Sequence, residues 1–271
     1  MARFIWPIFS PDSRANRITD YTVTRLGGGV TADRWLYLLG PEEAAEQVRM
    51  TGLCMEIAVP EARSRTFTHA FRFHESNTNA LRSMCNLLKE ALSLTTKPDL
   101  DCAIAFDWYK IPPENNSPKW PNTPTGELIY RGKYYSSGME RTTARRELAA
   151  KYVQILNEHP LYRECTQIVT IPGHKADGNS FGEQLATTVA EKSGKELIPT
   201  QSPGGPRPQA KEGPSQVGAE HFAMPKALTG DVIIIDDVYR SGTTMSAVAK
   251  TAKMAGANRT LGLAAVRTMR N

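Results

Sequence analysis

The chain has 271 residues, of which 40% are hydrophobic and 23% charged, with 33 Lys and Arg against 28 Asp and Glu and a net charge of +5. This composition excludes an intrinsically disordered or low-complexity chain, and the length suits one large or two small globular domains. The sequence has no run of about 18 apolar residues and an early proline at position 7, so we expect neither a membrane span nor a signal peptide, and a cytoplasmic protein.

The charge is unevenly divided between the two halves of the chain. Residues 1–125 carry 14 basic and 14 acidic side chains, and the other 19 basic and 14 acidic ones lie in residues 126–271. A surplus of this size does not by itself indicate nucleic-acid binding, which needs a clustered basic stripe. A site for a small polyanion in the second half would explain it as well.

The four cysteines are widely spaced and form no Cys-x-x-Cys pair. They are Cys54, Cys85, Cys102 and Cys165. This spacing predicts buried free thiols rather than a disulfide framework or a zinc ribbon.

The first 100 residues carry weak structural signals. We predict a strand at 18–24, a break at the glycines 27–29, a helix beginning at Pro41, and a helix over about 78–92, where apolar residues recur on one face. Residues 102–108 have the pattern of a short strand. Five prolines within 111–126 exclude a helix interior or central strand there, so this segment is predicted to be a linker or surface loop. We therefore divide the chain into an N-terminal region, 1–125, of unknown role and a domain at 126–271.

The second half alternates between strand and helix signals. The pattern predicts a lead-in segment at 128–135, a helix at 140–158, a strand at 167–171 and a helix that begins with a capping box at Ser180 and ends at Gly194. A Pro- and Gly-rich loop at 200–218 follows, then a strand, turn and helix at 231–256 and a strand at 260–266. This alternation predicts the α/β class, with a parallel sheet flanked by helices.

The most informative segment is 232–244. Four β-branched residues predict a strand buried on both faces, and Asp236 and Asp237 follow at its carboxyl end, where open α/β sheets bind ligands. The turn after them opens a helix and contains Tyr239, Arg240, Ser241, Gly242, Thr243 and Thr244. Backbone N–H groups, hydroxyls and the helix dipole together suit a phosphate. The acids suit sugar hydroxyls or a cation. The alternative is a solvent loop whose hydroxyls merely cap the helix.

This segment resembles the signature of the type I phosphoribosyltransferases. Residues 128–134 and 179–184 are similar to two segments of the ComF-like branch of that family, so the resemblance covers about 126–271. It implies a Rossmann-like, phosphoribosyltransferase-type sheet that binds phosphoribosyl pyrophosphate with Mg²⁺ and transfers the phosphoribosyl group to a nucleobase or amine, releasing pyrophosphate.

The resemblance also implies residue roles. Asp236 and Asp237 would hold the ribose hydroxyls and, indirectly, Mg²⁺, and residues 239–244 would hold the 5-phosphate. Pyrophosphate would meet the loop residues Gly173, His174 and Lys175. Arg207 and Lys211 would lie on a flexible loop over the reaction centre.

Two departures from the family pattern limit this reading. Residues 1–125 contain no zinc ribbon, and Arg240 stands where the 6-oxopurine branch has an aspartate base, which argues against hypoxanthine or guanine salvage. A non-catalytic sensor of phosphoribosyl pyrophosphate or a nucleotide, and an accessory role in DNA uptake or processing, stay open as alternatives. A homodimer and a nucleic-acid partner also stay open, and a membrane partner is not expected.

Overall fold

The computed structural model describes residues 14–25, 32–113, 119–136, 138–207 and 217–269. The predicted glycine break at 27–29 lies outside these ranges. Within them, the helices are α1 Glu42–Met50, α2 Thr78–Glu90, α3 Pro124–Tyr134, α4 Met139–Glu158, α5 Pro160–Glu164, α6 Phe181–Ser193 and α7 Thr243–Met254, with 3₁₀ turns at Glu75–Asn77 and Ala219–His221. The strands are β1 Ala15–Asn16, β2 Asp20–Arg25, β3 Asp33–Leu39, β4 Cys54–Ile57, β5 His69–His74, β6 Leu92–Leu94, β7 Cys102–Trp108, β8 Gln167–Thr170, β9 Glu196–Ile198, β10 Val232–Tyr239 and β11 Thr260–Arg267.

The central sheet has seven strands in the order β1-β6-β7-β11-β10-β8-β9. The five strands from β7 to β9 in that order run parallel, and β6 and β1 extend the β7 edge in antiparallel fashion. The predicted α/β class, with a mostly parallel sheet flanked by helices, is confirmed. Because parallel strands end at one edge, the carboxyl ends of β8, β10 and β11 meet there.

Strand β10 is buried on both faces. Ile233 and Ile235 pack in one apolar cluster with residues of α2, α4 and α6, whereas Val232 and Ile234 pack in another with residues of α7. This two-sided burial explains the unbroken β-branched run and agrees with the interior position of β10, between β11 and β8.

A second, antiparallel sheet has the order β2-β3-β5-β4. One of its faces packs on α2, with Leu36 and Leu38 of β3 fully buried, and Tyr37 lies in a small cluster on the other face. Of its four strands, only β2 was predicted.

The segment around residue 125 differs from the sequence expectation. Residues 128–135, predicted as a lead-in segment, lie mostly in helix α3, which begins at Pro124 after a side-chain cap from Thr123. Proline is compatible with the first helical turn because its missing N–H would have no intrahelical partner there. Strands β1, β6 and β7 place residues from before position 125 in the central sheet. The division into 1–125 and 126–271 stays a prediction.

The four cysteines are free, as predicted; Cys85, Cys102 and Cys165 are buried and Cys54 is half-buried. Burial raises the pKa of each thiol, to about 11 for Cys54 and about 12 for the other three, so all four are protonated at neutral pH. Across the described ranges, no helix is long and apolar enough to cross a membrane.

Candidate functional site

The acid pair lies near the carboxyl end of β10. Asp237 is 8% exposed, and Asp236 is half-buried. The Asp237 N–H donates to Asp236 Oδ1 at 2.8 Å, and the Tyr152 hydroxyl of α4 donates to the Asp236 carbonyl at 2.5 Å. These bonds fix the backbone and one carboxylate of the pair against the core.

Burial and the neighbouring Asp237 raise the pKa of Asp236 well above its ordinary value. Two carboxylates this close cannot both ionise without cost, since each charge opposes the other in a poorly solvated site. The site therefore favours one negative charge over two.

Lys133, near the end of α3, is the counter-charge of the pair. Its ammonium lies 2.6 Å from Asp237 Oδ2. Burial alone would lower the pKa of Lys133, but the charges of Asp237 and Asp236 outweigh it and the pKa is raised. The pattern 128–134 contains this lysine, but the sequence did not indicate its partner, because 104 residues separate the two.

The first turn of α6 closes another side of the acid pair. Gly182 is so near that a Cβ built there would lie 3.4 Å from Asp236 Oδ1. A Cβ built on Gly132 of α3 would lie 2.9 Å from the Phe181 ring, so small residues let α3 and α6 approach each other next to the acids. The positive end of α6 thus faces the same carboxylates as Lys133.

The conformation of the predicted phosphate turn requires a glycine at position 242. Gly242 has φ +74°, and a Cβ built on it would lie 2.1 Å from the Tyr239 hydroxyl. Tyr239 is 3% exposed, and its hydroxyl donates to the Thr95 carbonyl at 3.4 Å. The buried Tyr239 side chain therefore packs against the turn on its core side.

The hydroxyls of the turn lie together at the start of α7. Ser241 Oγ is 3.0 Å from Thr243 Oγ1, and Thr244 is half-buried in the first helical turn. The ammonium of Lys97 donates to Thr243 Oγ1 at 2.8 Å. Lys97 was not predicted, since no local pattern marks a lysine 146 residues away as a neighbour of this turn.

A buried arginine fixes the other end of the turn. Arg267, at the end of β11, is 2% exposed, and its guanidinium donates to the carbonyls of Arg240 and, at 2.7 Å, Thr268. It also lies 5.5 Å from the centre of the Tyr239 ring. Arg240 is itself half-buried. The sequence did not single out Arg267, although an arginine ending an apolar strand is an unusual core residue.

The loop after β8 reaches the same edge of the sheet. Gly173 is tightly packed: its N–H donates to Glu183 Oε2 at 3.1 Å, and a Cβ built there would lie 2.5 Å from Ser180 Cβ. Its amide is therefore engaged by the capping box of α6, which the structure contains as predicted. His174 and Lys175 follow, with exposed side chains.

Arg207 also binds the loop after β8. Its guanidinium donates to the Pro172 carbonyl at 2.7 Å and lies 4.5 Å from the centre of the Phe222 ring, and its backbone N–H donates to the His174 carbonyl. The predicted flexible loop is thus anchored at Arg207. Lys211, the other basic residue assigned to that loop, lies outside the described residues.

The acid pair does not fit a resident metal ion. Asp237 Oδ2 is engaged by Lys133, Asp236 Oδ1 accepts a backbone N–H, and the pKa of Asp236 is raised. The described part of the chain also contains no group of three or more His, Cys, Asp or Glu side chains that could hold a metal. Mg²⁺ in proteins is commonly held by one or two carboxylates together with substrate phosphates. The predicted indirect role of Mg²⁺ stays a prediction.

Comparison with known proteins gives only distant similarities. No protein-family model and no curated protein matches the chain. An adenine phosphoribosyltransferase structure is 18% identical with a TM-score of 0.32, covering 47% of this chain and 81% of its own. A purine phosphoribosyltransferase from Pyrococcus horikoshii Ot3 is 17% identical with a TM-score of 0.31, covering 46% and 84%. An orotate phosphoribosyltransferase from Aeropyrum pernix is 18% identical with a TM-score of 0.31, covering 52% and 78%. Scores this low do not establish a shared function.

Proposed function

We propose that the chain binds phosphoribosyl pyrophosphate at the carboxyl edge of its central sheet and transfers the phosphoribosyl group to a nitrogen acceptor. One observation carries the proposal: Asp236 and Asp237, near the end of β10, lie a few residues before a hydroxyl-rich turn at the start of α7. One end of the site can accept hydrogen bonds from a sugar diol, and the other can donate to a phosphate.

The ligand would lie across the edge of the sheet. Its 5-phosphate would meet the backbone N–H groups of residues 241–244, the hydroxyls of Ser241 and Thr243, and the Lys97 ammonium. Its ribose hydroxyls would donate to the acid pair. Binding at the phosphate would thereby position the reacting sugar carbon, several bonds away.

In the proposed reaction, the bond from the ribose C1 to the pyrophosphate oxygen breaks and the pyrophosphate leaves with the electron pair. The acceptor nitrogen forms the new bond to C1 and then releases a proton. Positive charge on the ribose ring would be stabilised by the acid pair, and negative charge on the leaving group by Lys175 and His174 of the loop after β8. Mg²⁺ enters this proposal with the substrate, as the counter-ion of its pyrophosphate.

A second candidate function is a sensor that binds the same ligand without turnover. The Lys133–Asp237 ion pair favours it, because a carboxylate already neutralised by an ammonium is a weaker stabiliser of a positive sugar ring. Arg240 favours it too, because a guanidinium cannot act as the general base for an acceptor.

The two candidates are separated by measuring binding and turnover on the same samples. Calorimetry with phosphoribosyl pyrophosphate and Mg²⁺ measures binding, and pyrophosphate release across a panel of nucleobases and amines measures transfer. Release that the Asp236→Asn/Asp237→Asn variant abolishes would support the enzyme, and binding without release would support the sensor. Asp20→Asn, an exposed acid on β2 whose ion pair is with Lys89, is the matched control. Failure to bind at millimolar ligand would exclude both functions.

A further inference from the structure

A polar cavity lies apart from the proposed site, at one end of the antiparallel sheet. Its volume is about 380 Å³, and its lining comprises Val23, Thr24, Arg25, Arg34, Glu75, Thr78 and Arg82. These residues come from β2, β3, the 3₁₀ turn and the first two turns of α2. None of them belongs to the acid pair, the turn 239–244 or the loop after β8.

Two of the arginines lie on the core-facing side of the sheet. Along β3, Leu36 and Leu38 are fully buried on the face that packs on α2, and Arg34 precedes them at the same two-residue period. The Arg34 side chain is accordingly only 13% exposed.

Arg25 and Arg34 are direct cross-strand partners in the β2–β3 ladder. Like charges in that position repel each other and destabilise the strand pair. Arg82 adds a third guanidinium to the same cavity, and Glu75, paired with Arg34, is the one carboxylate among the described residues that line it. Within the described residues, Arg25 and Arg82 have no ion-pair partner. The lining thus carries an excess of two positive charges.

We propose that this cavity binds the phosphate group of a small phosphorylated molecule or free phosphate. Guanidinium forks match phosphate oxygens in pairs, so the donors of the site are the guanidinium groups of Arg25 and Arg82. The described lining has no aromatic side chain, so it offers no platform for a nucleobase and fits a sugar phosphate or inorganic phosphate. A bound anion would also relieve the repulsion between Arg25 and Arg34.

The test compares Arg25→Gln/Arg82→Gln with wild type and with Arg146→Gln, which changes an exposed arginine of α4. Calorimetry with inorganic phosphate should show a binding component that the double variant weakens at least tenfold and Arg146→Gln leaves intact. In phosphate-free buffer, the double variant should unfold at the same or a higher temperature than wild type, because a repulsion has been removed. Added phosphate should stabilise wild type more than the variant.

Two results would overturn the proposal. The first is an identical phosphate-binding isotherm for the double variant and wild type. The second is a lower unfolding temperature of the double variant in phosphate-free buffer, because it would mean that the two arginines serve only the fold. Calorimetric titration with ribose 5-phosphate shows whether the phosphate belongs to a sugar phosphate or is free phosphate. Tighter binding of ribose 5-phosphate than of phosphate, lost in the double variant, supports a sugar phosphate, and equal binding supports free phosphate. The outcome does not depend on the acid pair, so it is independent of the proposed transferase function.

Discussion

The ammonium of Lys133 lies 2.6 Å from Oδ2 of Asp237 and joins the end of α3 to the carboxyl end of the interior strand β10. Asp237 is 8% exposed, and its neighbour Asp236 has a raised pKa. The lysine therefore supplies the positive charge that lets one carboxylate of the pair remain ionised in a poorly solvated place. Lys133 thereby also connects helix α3 to the acid pair, where the ribose is proposed to bind.

Removing the Lys133 charge should destabilise the protein more than removing both partners. Lys133→Met leaves a buried carboxylate without its counter-charge, and we expect a loss of about 1–3 kcal/mol, below the range for fully buried pairs because the lysine side chain is 36% exposed. Lys133→Met/Asp237→Asn should cost less than the sum of the two single changes, as measured by urea unfolding. Lys89→Met, which breaks an exposed pair with Asp20, should change stability by less than about 1 kcal/mol. Additive effects of the two changes at Lys133 and Asp237 would show that the ion pair does not matter.

Gly242 should be intolerant of any side chain. Its φ of +74° strains an alanine, and the added Cβ would also overlap Tyr239. Gly242→Ala should lower the free energy of unfolding by about 2 kcal/mol or more and weaken ligand binding at the turn. Gly52→Ala separates the two causes, because Gly52 has φ +65° but nothing within 4 Å of its Cβ position. Equal losses for the two variants in denaturant titrations would contradict the role given to Tyr239.

Lys97 should contribute to binding and not to folding. It is exposed, and its contact is with the Thr243 hydroxyl, where the proposed phosphate would lie. Lys97→Gln should weaken the binding of phosphoribosyl pyrophosphate about 5- to 30-fold, the loss expected for one charge-assisted hydrogen bond, with the unfolding temperature unchanged. The same calorimetric titration on Lys89→Gln is the control. If Lys97→Gln bound phosphoribosyl pyrophosphate with unchanged affinity, Lys97 and with it the N-terminal region would have no part in the phosphate site.

His159 should make the protein sensitive to acid. It is fully buried between α4 and α5, neither ring nitrogen forms a hydrogen bond with a described residue, and burial lowers its pKa to about 3. The unfolded chain takes up this proton near pH 6.5 and the folded chain does not until about pH 3, so stability should fall as the pH drops between these values, by up to about 1.4 kcal/mol per unit. In His159→Phe, the free energy of unfolding should decline less steeply between pH 6.5 and pH 4.5. An unchanged slope would show that His159 is not the group responsible.

The sequence predicted those parts of the site whose residues are contiguous. Strand β10, its acids and the turn into α7 lie within thirteen residues, and the capping box of α6 lies within four, so local chemistry was enough to find them. The positions of Lys97, Lys133 and Arg267 depend on which segments the sheet brings to one edge, and no local pattern encodes that.

Strand β3 of the antiparallel sheet was missed for a different reason. Strand β3 buries Leu36 and Leu38 on one face and Tyr37 on the other. Because both faces are apolar, the two-residue alternation that marks a half-exposed strand is absent. Helix α3 was missed because Pro124 indicated a loop, whereas the structure uses that proline as the first residue of the helix.

In the proposed function, the acid pair and the turn 239–244 form one site for phosphoribosyl pyrophosphate. Its most direct test is calorimetric titration of the protein with this ligand and Mg²⁺, beside the Asp236→Asn/Asp237→Asn variant and the Asp20→Asn control. We expect saturable binding to wild type and to Asp20→Asn, and a loss of at least tenfold in affinity for the acid-pair variant. Binding of equal strength to all three proteins, or none to wild type at millimolar ligand, would contradict it.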